Sequence, residues 1–257
     1  MSITLSRRTR LLSHALLLIL WTAGIGPARS QETSAEPSID PNLELLTSEQ
    51  RNAAVQKWED DIQELEKLDQ SEPDPEDAVL LVGSSSIRLW EDAAEAMAPY
   101  PIIRRGYGGA KYSDLLVYAR RLIQPHQFRA VVFFVANDIS GGKADHTVDA
   151  VEKWVRAIVR VAREHQPEAA ILLVEVTPTP SRLKAWPEIR ELNAMLREVA
   201  LTEPNTSFVA TAEFYLDRND QPRADFFRED RLHQNDAGYE IWASLIKRRL
   251  DEVLAGS

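Results

Sequence analysis

Short apolar runs alternate along the chain with stretches that carry a helical period. Val79-Leu80-Leu81-Val82 is the first run, four apolar residues without a polar break, as in a strand buried on both faces. Residues 130–135 and 171–176 repeat that pattern, and residues 101–105 and 207–210 are shorter strand candidates. Helices are expected over residues 113–123, 147–165, 187–201 and 235–254. The second of these carries Val148, Val151, Val155, Ile158, Val159 and Ala162 at the spacing of one helical face. A further helix is expected over residues 47–68. Thr47 and Gln50 have the spacing of a capping box at its start, and Trp58, Ile62, Leu65 and Leu68 form its apolar stripe. Strands alternating with helices of this length predict a parallel sheet covered on both faces, here with about five strands. No repeat of fixed period suggests a solenoid.

The amino terminus has a different pattern. Arg7, Arg8 and Arg10 precede an apolar run over residues 11–25, and Gly26-Pro27-Ala28-Arg29-Ser30 follows. Charged, apolar, then small is the order of a secretory signal, with cleavage expected before Gln31 and an uncleaved anchor as the alternative. Residues 31–46, polar with Pro37 and Pro41, are expected to be a disordered linker, and residues 47–257 one catalytic domain. After export no stable membrane insertion is expected. Net charge is −10, and loss of residues 1–30 would leave 26 basic against 40 acidic residues. That balance argues against nucleic acid and anionic membrane surfaces as partners. The chain has no Cys, which excludes disulfides, thiolate nucleophiles and Cys-ligated metals.

Candidate chemistry sits where the strands end. Gly83-Ser84-Ser85-Ser86 ends the first strand and leads into a helical turn. Such a tract reads either as a turn with an N-cap or as a hydroxyl nucleophile at the carboxyl edge of the sheet, where open α/β sheets bind ligands. Gly106-Tyr107-Gly108-Gly109-Ala110 follows the second strand and allows close backbone approach to a ligand. It matches neither a dinucleotide fingerprint nor a phosphate-binding loop. Asn137, after the next strand, is either a turn residue or an amide donor to an oxyanion. Asp230 and His233 are three apart before the last helix, so the carboxylate can hold the imidazole as a proton acceptor. Of the five His, only His233 has an acid at a useful sequence spacing.

These blocks together resemble the SGNH hydrolases, also called the GDSL esterase/lipase family. Gly83-Ser84-Ser85-Ser86 aligns with the family's Gly-Asp-Ser-Leu, with Ser84 in place of Asp. Val135-Ala136-Asn137-Asp138 aligns with its Gly-x-Asn-Asp, and Asp230-Arg231-Leu232-His233 with its Asp-x-x-His. The resemblance implies a flavodoxin-like three-layer α/β/α fold and a serine esterase without cofactor. It implies Ser85 as nucleophile, His233 as base and Asp230 as its orienting acid. The oxyanion hole would come from Ser85, Gly109 and Asn137. The implied partner is a small-molecule or carbohydrate ester, the substrate a short-chain or carbohydrate O-acyl ester. A lysophospholipase, a thioesterase and an inactive carbohydrate-binding protein are the alternatives. Val135, where the family has Gly, is expected to narrow the pocket floor if its side chain points inward.

Overall fold

Successive side chains of a strand point to opposite faces, and in the computed structural model, which describes residues 40–255, each face meets its own layer of helices. In β1 (Val79–Gly83), Val79 and Leu81 pack in one buried cluster with Trp242, Ile246 and Leu250 of α7 (Asp236–Leu254). Leu80 and Val82 face the other way. Their cluster holds Leu115 of α4 (Tyr112–Ile123), Val155 of α5 (Val148–His165) and Leu192 of α6 (Trp186–Thr202). β3 (Ala130–Phe134) and β4 (Ala170–Val174) divide their side chains in the same manner, so the sheet is the middle of three layers. Burial on both faces explains why these strands are unbroken apolar runs; each Val, Leu or Ile so buried contributes about 1.5–3 kcal/mol.

All strand pairs are parallel, in the order β2-β1-β3-β4-β5, with β2 at Ile102–Gly106 and β5 at Thr206–Val209. This is the flavodoxin-like order, in which the direction of winding reverses between β1 and β3. A crevice opens at such a switch point, beyond the carboxyl ends of the two strands. The register sets Gly83, Gly106 and Phe134 level, so the segments that follow them leave the sheet together. At Gly83 a Cβ would lie 2.0 Å from the Phe134 carbonyl oxygen, so only glycine lets β1 and β3 close at this edge. The next N–H, of Ser84, donates to that same oxygen at 3.0 Å.

The expected helices match α4 to α7 within two residues at either end. β4 stops at Val174 because the chain then turns off the sheet, and the Val176 N–H donates to the Asn193 side chain instead of to a strand. α1 (Ser48–Ser71) has both bonds of the expected capping box and buries Trp58 and Ile62. Leu68 lies outside the stripe, 38% exposed. Arg121 of α4 ties α1 down through Glu59 and Glu66, at 2.9 and 2.7 Å.

The expected leader, residues 1–30, and linker residues 31–39 lie outside the described residues. The rest of that linker is ordered, contrary to expectation. Pro41–Leu45 forms a 3-10 helix capped by Asp40, Leu46 is buried, and Asp40 pairs with Arg120 at 2.7 Å. Pro41 at the first helical position and the Asp40 cap favour that turn locally, and the contact with α4 fixes it.

Candidate active site

Ser85 opens α2 (Ser85–Arg88), a single helical turn after β1. As its first residue, Ser85 has an N–H with no carbonyl one turn earlier to receive it. Its Oγ lies 2.8 Å from His233 Nε2, and His233 Nδ1 lies 2.6 Å from Asp230 Oδ2. Asp230 Oδ1 accepts the backbone N–H groups of Leu232 and His233, both at 2.9 Å. A tight turn makes this possible, with Arg231 between them at a φ of 58°. Burial pushes the Asp230 carboxyl up, but hydrogen bonds from the His233 ring and these two N–H groups outweigh it and hold the carboxyl at about 2. Asp230 is therefore a carboxylate at neutral and mildly acidic pH. Facing it, the neutral imidazole in the tautomer with its proton on Nδ1 presents the Nε2 lone pair to Ser85. A hydroxyl so placed can be deprotonated as it attacks a carbonyl carbon.

Asn137 leaves β3 on the far side of the switch point. Its Nδ2 donates to the Ala110 carbonyl at 3.0 Å, and its Oδ1 accepts from Arg182 Nη2 at 2.6 Å. An amide nitrogen has two protons, so one N–H remains for a ligand. Gly109 adjoins it, and a Cβ there would stand 3.9 Å from Asn137 Nδ2. The Gly109 N–H has no protein acceptor among the described residues. Behind this loop stands Trp58 of α1, so close to Gly108, whose φ is +27°, that a Cβ at Gly108 would lie 1.9 Å from the indole. Asp138 binds the loops after β2 and β3 together, accepting the Tyr112 N–H at 3.0 Å and meeting His146 Nδ1 at 3.1 Å. Burial pushes the Asp138 carboxyl up, against those two hydrogen bonds.

The structure thus joins Ser85, His233 and Asp230 directly. Asn137 lies on the wall of the same cleft, and Gly109 beside Asn137 just outside that wall. Val135 does not narrow the cleft. It is buried in the core cluster that holds Val131 and Phe133, while Phe134 and Ala136 line the cleft. Two other His also have carboxylate partners, which sequence spacing did not reveal. His126 meets Asp74 at 2.9 Å and His146 meets Asp138, but neither ring bonds a hydroxyl among the described residues. The hydroxyl of Ser85 is what sets His233 apart.

Sequence reasoning missed Thr177, Thr179 and Arg182, which also line the cleft. The signal was available, since they follow the carboxyl end of the buried strand β4. The cleft, partly open to solvent, has about 20 Å³ of room for water-sized groups. Among the described residues no group of three or more Asp, Glu or His side chains is arranged to hold a metal ion.

A family model described as GDSL-like lipase/acylhydrolase matches residues 77–241. No curated protein matches the chain. Among solved structures, a Streptococcus pneumonia protein provisionally described as a platelet activating factor superposes with a TM-score of 0.68 at 19% identity, covering 77% of this chain and 95% of that one. A GDSL-like lipase from Bacteroides thetaiotaomicron gives 0.64 at 19% identity, covering 74% and 97%. A carbohydrate esterase family 3 protein from Talaromyces cellulolyticus gives 0.54 at 17% identity, covering 70% and 99%. At these identities the likeness is one of fold.

Proposed function

The chain belongs to the GDSL-like lipase/acylhydrolase family, and we propose that it is an exported serine esterase acting on short-chain acyl esters, with carbohydrate O-acyl esters as the substrate class. The observation that carries this reading is one imidazole held between a hydroxyl and a carboxylate in the cleft at the switch point. Ser85 Oγ attacks the ester carbonyl while His233 Nε2 takes its proton. The carbonyl oxygen becomes an oxyanion facing the N–H groups of Ser85 and Gly109 and the Asn137 amide. Collapse breaks the ester C–O bond, and His233 returns the proton to the departing alcohol. Water then attacks the acyl-Ser85 by the same route, and the carboxylic acid leaves.

The narrowness of the cleft supports a short acyl group, and the printed name of the Talaromyces neighbour supports a carbohydrate ester. A nitrophenyl ester series tests chain length. kcat/KM should be highest for acetyl and fall at least about tenfold by octanoyl, since each methylene that does not fit is worth about 1–3 kcal/mol. A rise with chain length would favour the lysophospholipase or thioesterase reading.

Export rests on the charged, apolar and small segments of residues 1–30. Among the described residues no helix is long and apolar enough to cross a membrane. The intact mass of the exported protein should begin at Gln31. A membrane-bound species that still carries Met1 would establish an anchor instead.

A further inference from the structure

Arg182 is a cation in the wall of the catalytic cleft, and among the described residues it forms no ion pair. Both of its terminal nitrogens are committed to the segment after β3. Nη1 donates to the Ala136 carbonyl at 2.5 Å and Nη2 to Asn137 Oδ1 at 2.6 Å. The 3-10 helix that carries it, Pro180–Ala185, is itself tied to the turn of Asp230 and His233, because the Ser181 N–H donates to the Arg231 carbonyl at 3.1 Å.

The two ends of a carboxamide have almost the same shape, so its partners decide which end faces where. A reversed Asn137 would offer a carbonyl oxygen to the developing oxyanion, and like partial charges would repel. Ala110 contributes one neutral bond to the correct orientation. The bond from Arg182 is charge-assisted and therefore stronger. It also draws electron density from the amide, which sharpens the remaining N–H as a donor.

We infer that Arg182 is a positioning residue of the oxyanion hole, holding Asn137 Oδ1 so that the free Nδ2 proton faces the carbonyl oxygen of an ester at Ser85. The inference rests on the esterase reading above and assigns Arg182 no contact with the reacting atoms.

A double-mutant cycle tests it. Asn137→Ala should lower kcat for acetyl-ester hydrolysis by about a hundred- to a thousandfold, with KM changed little. Arg182→Met should lower kcat about ten- to a hundredfold, with KM within about twofold. Arg182→Lys keeps a cation and should recover part of that loss; it also replaces the Met variant if that one does not fold. In the Asn137→Ala background, Arg182→Met should cost less than about twofold more, because there is no amide left to orient. Equal losses in both backgrounds, or a loss confined to KM, would overturn the inference.

A second readout needs no substrate. The side-chain amide resonances of Asn137 in ¹⁵N-labelled protein are identified by their absence from Asn137→Ala. Arg182→Met should displace them and speed their hydrogen exchange at least about tenfold. Unmoved resonances overturn the inference whether or not the wild type hydrolyses esters. Displaced resonances in a protein that turns over no acyl ester would sink the esterase reading and keep Arg182 as the residue that orients Asn137.

Discussion

Ser85→Ala should lower kcat for acetyl-ester hydrolysis by about a millionfold and leave the fold in place. Loss of the nucleophile in a serine triad costs about that much, or ~8 kcal/mol at about 1.4 kcal/mol per tenfold. The fold should survive because the Ser85 hydroxyl has one side-chain partner, His233, and sits half-exposed at the start of a single helical turn. Losing one such hydrogen bond costs about 0.5–1.5 kcal/mol. Neighbouring hydroxyls are poor substitutes. Ser84 is buried as the cap of α2, and neither Ser84 nor Ser86 bonds His233. Steady-state rates beside a melting curve check both halves of the statement. A variant that kept most of its activity would move the nucleophile to another hydroxyl.

His233→Ala should cost nearly as much, since without a base the hydroxyl attacks at its own low acidity. Asp230→Asn should cost up to about ten-thousandfold, because an amide oxygen and nitrogen cannot select the tautomer as a carboxylate does. The pH profile carries independent information. A protonated imidazole cannot accept the Ser85 proton, so the rate should fall on acidification through the imidazole's titration. Asp230 should add no second inflection in that window, as its carboxyl is held at about 2. Stability also falls on acidification. A carboxyl whose folded value is lowered stabilises the fold above its unfolded value, and that contribution fades only as pH falls toward about 2. A rate that stayed flat down to about pH 4 would remove His233 as the base.

What was legible in the sequence is what local physics decides. Residues 79–82 announced a central strand because burial on both faces demands an unbroken apolar run. Asp230 and His233 were legible because a turn brings residues three apart together. The bonds of Arg182 were not, because its acceptors lie 45 and 46 residues away in sequence, although its place after β4 was. The partners of His126 and His146 escaped for the same reason, at separations of 52 and 8 residues. The direction of Val135 could have been inferred. It is in phase with Val131 and Phe133, and a period of two assigns all of them to one face. The 3-10 helix at Pro41–Leu45 was hidden because what orders it is the pairing of its cap, Asp40, with Arg120 on α4, 80 residues away in sequence.

That Ser85 is the nucleophile, activated by His233, is tested most directly by trapping it. The protein is treated with an organophosphonate that leaves a stable phosphonyl group on a reactive serine, and the adduct is mapped by intact and peptide mass. The expected result is one adduct per chain, on Ser85, absent from Ser85→Ala and formed orders of magnitude more slowly in His233→Ala. An adduct on any other residue, or none in a protein that hydrolyses acetyl esters, would contradict it.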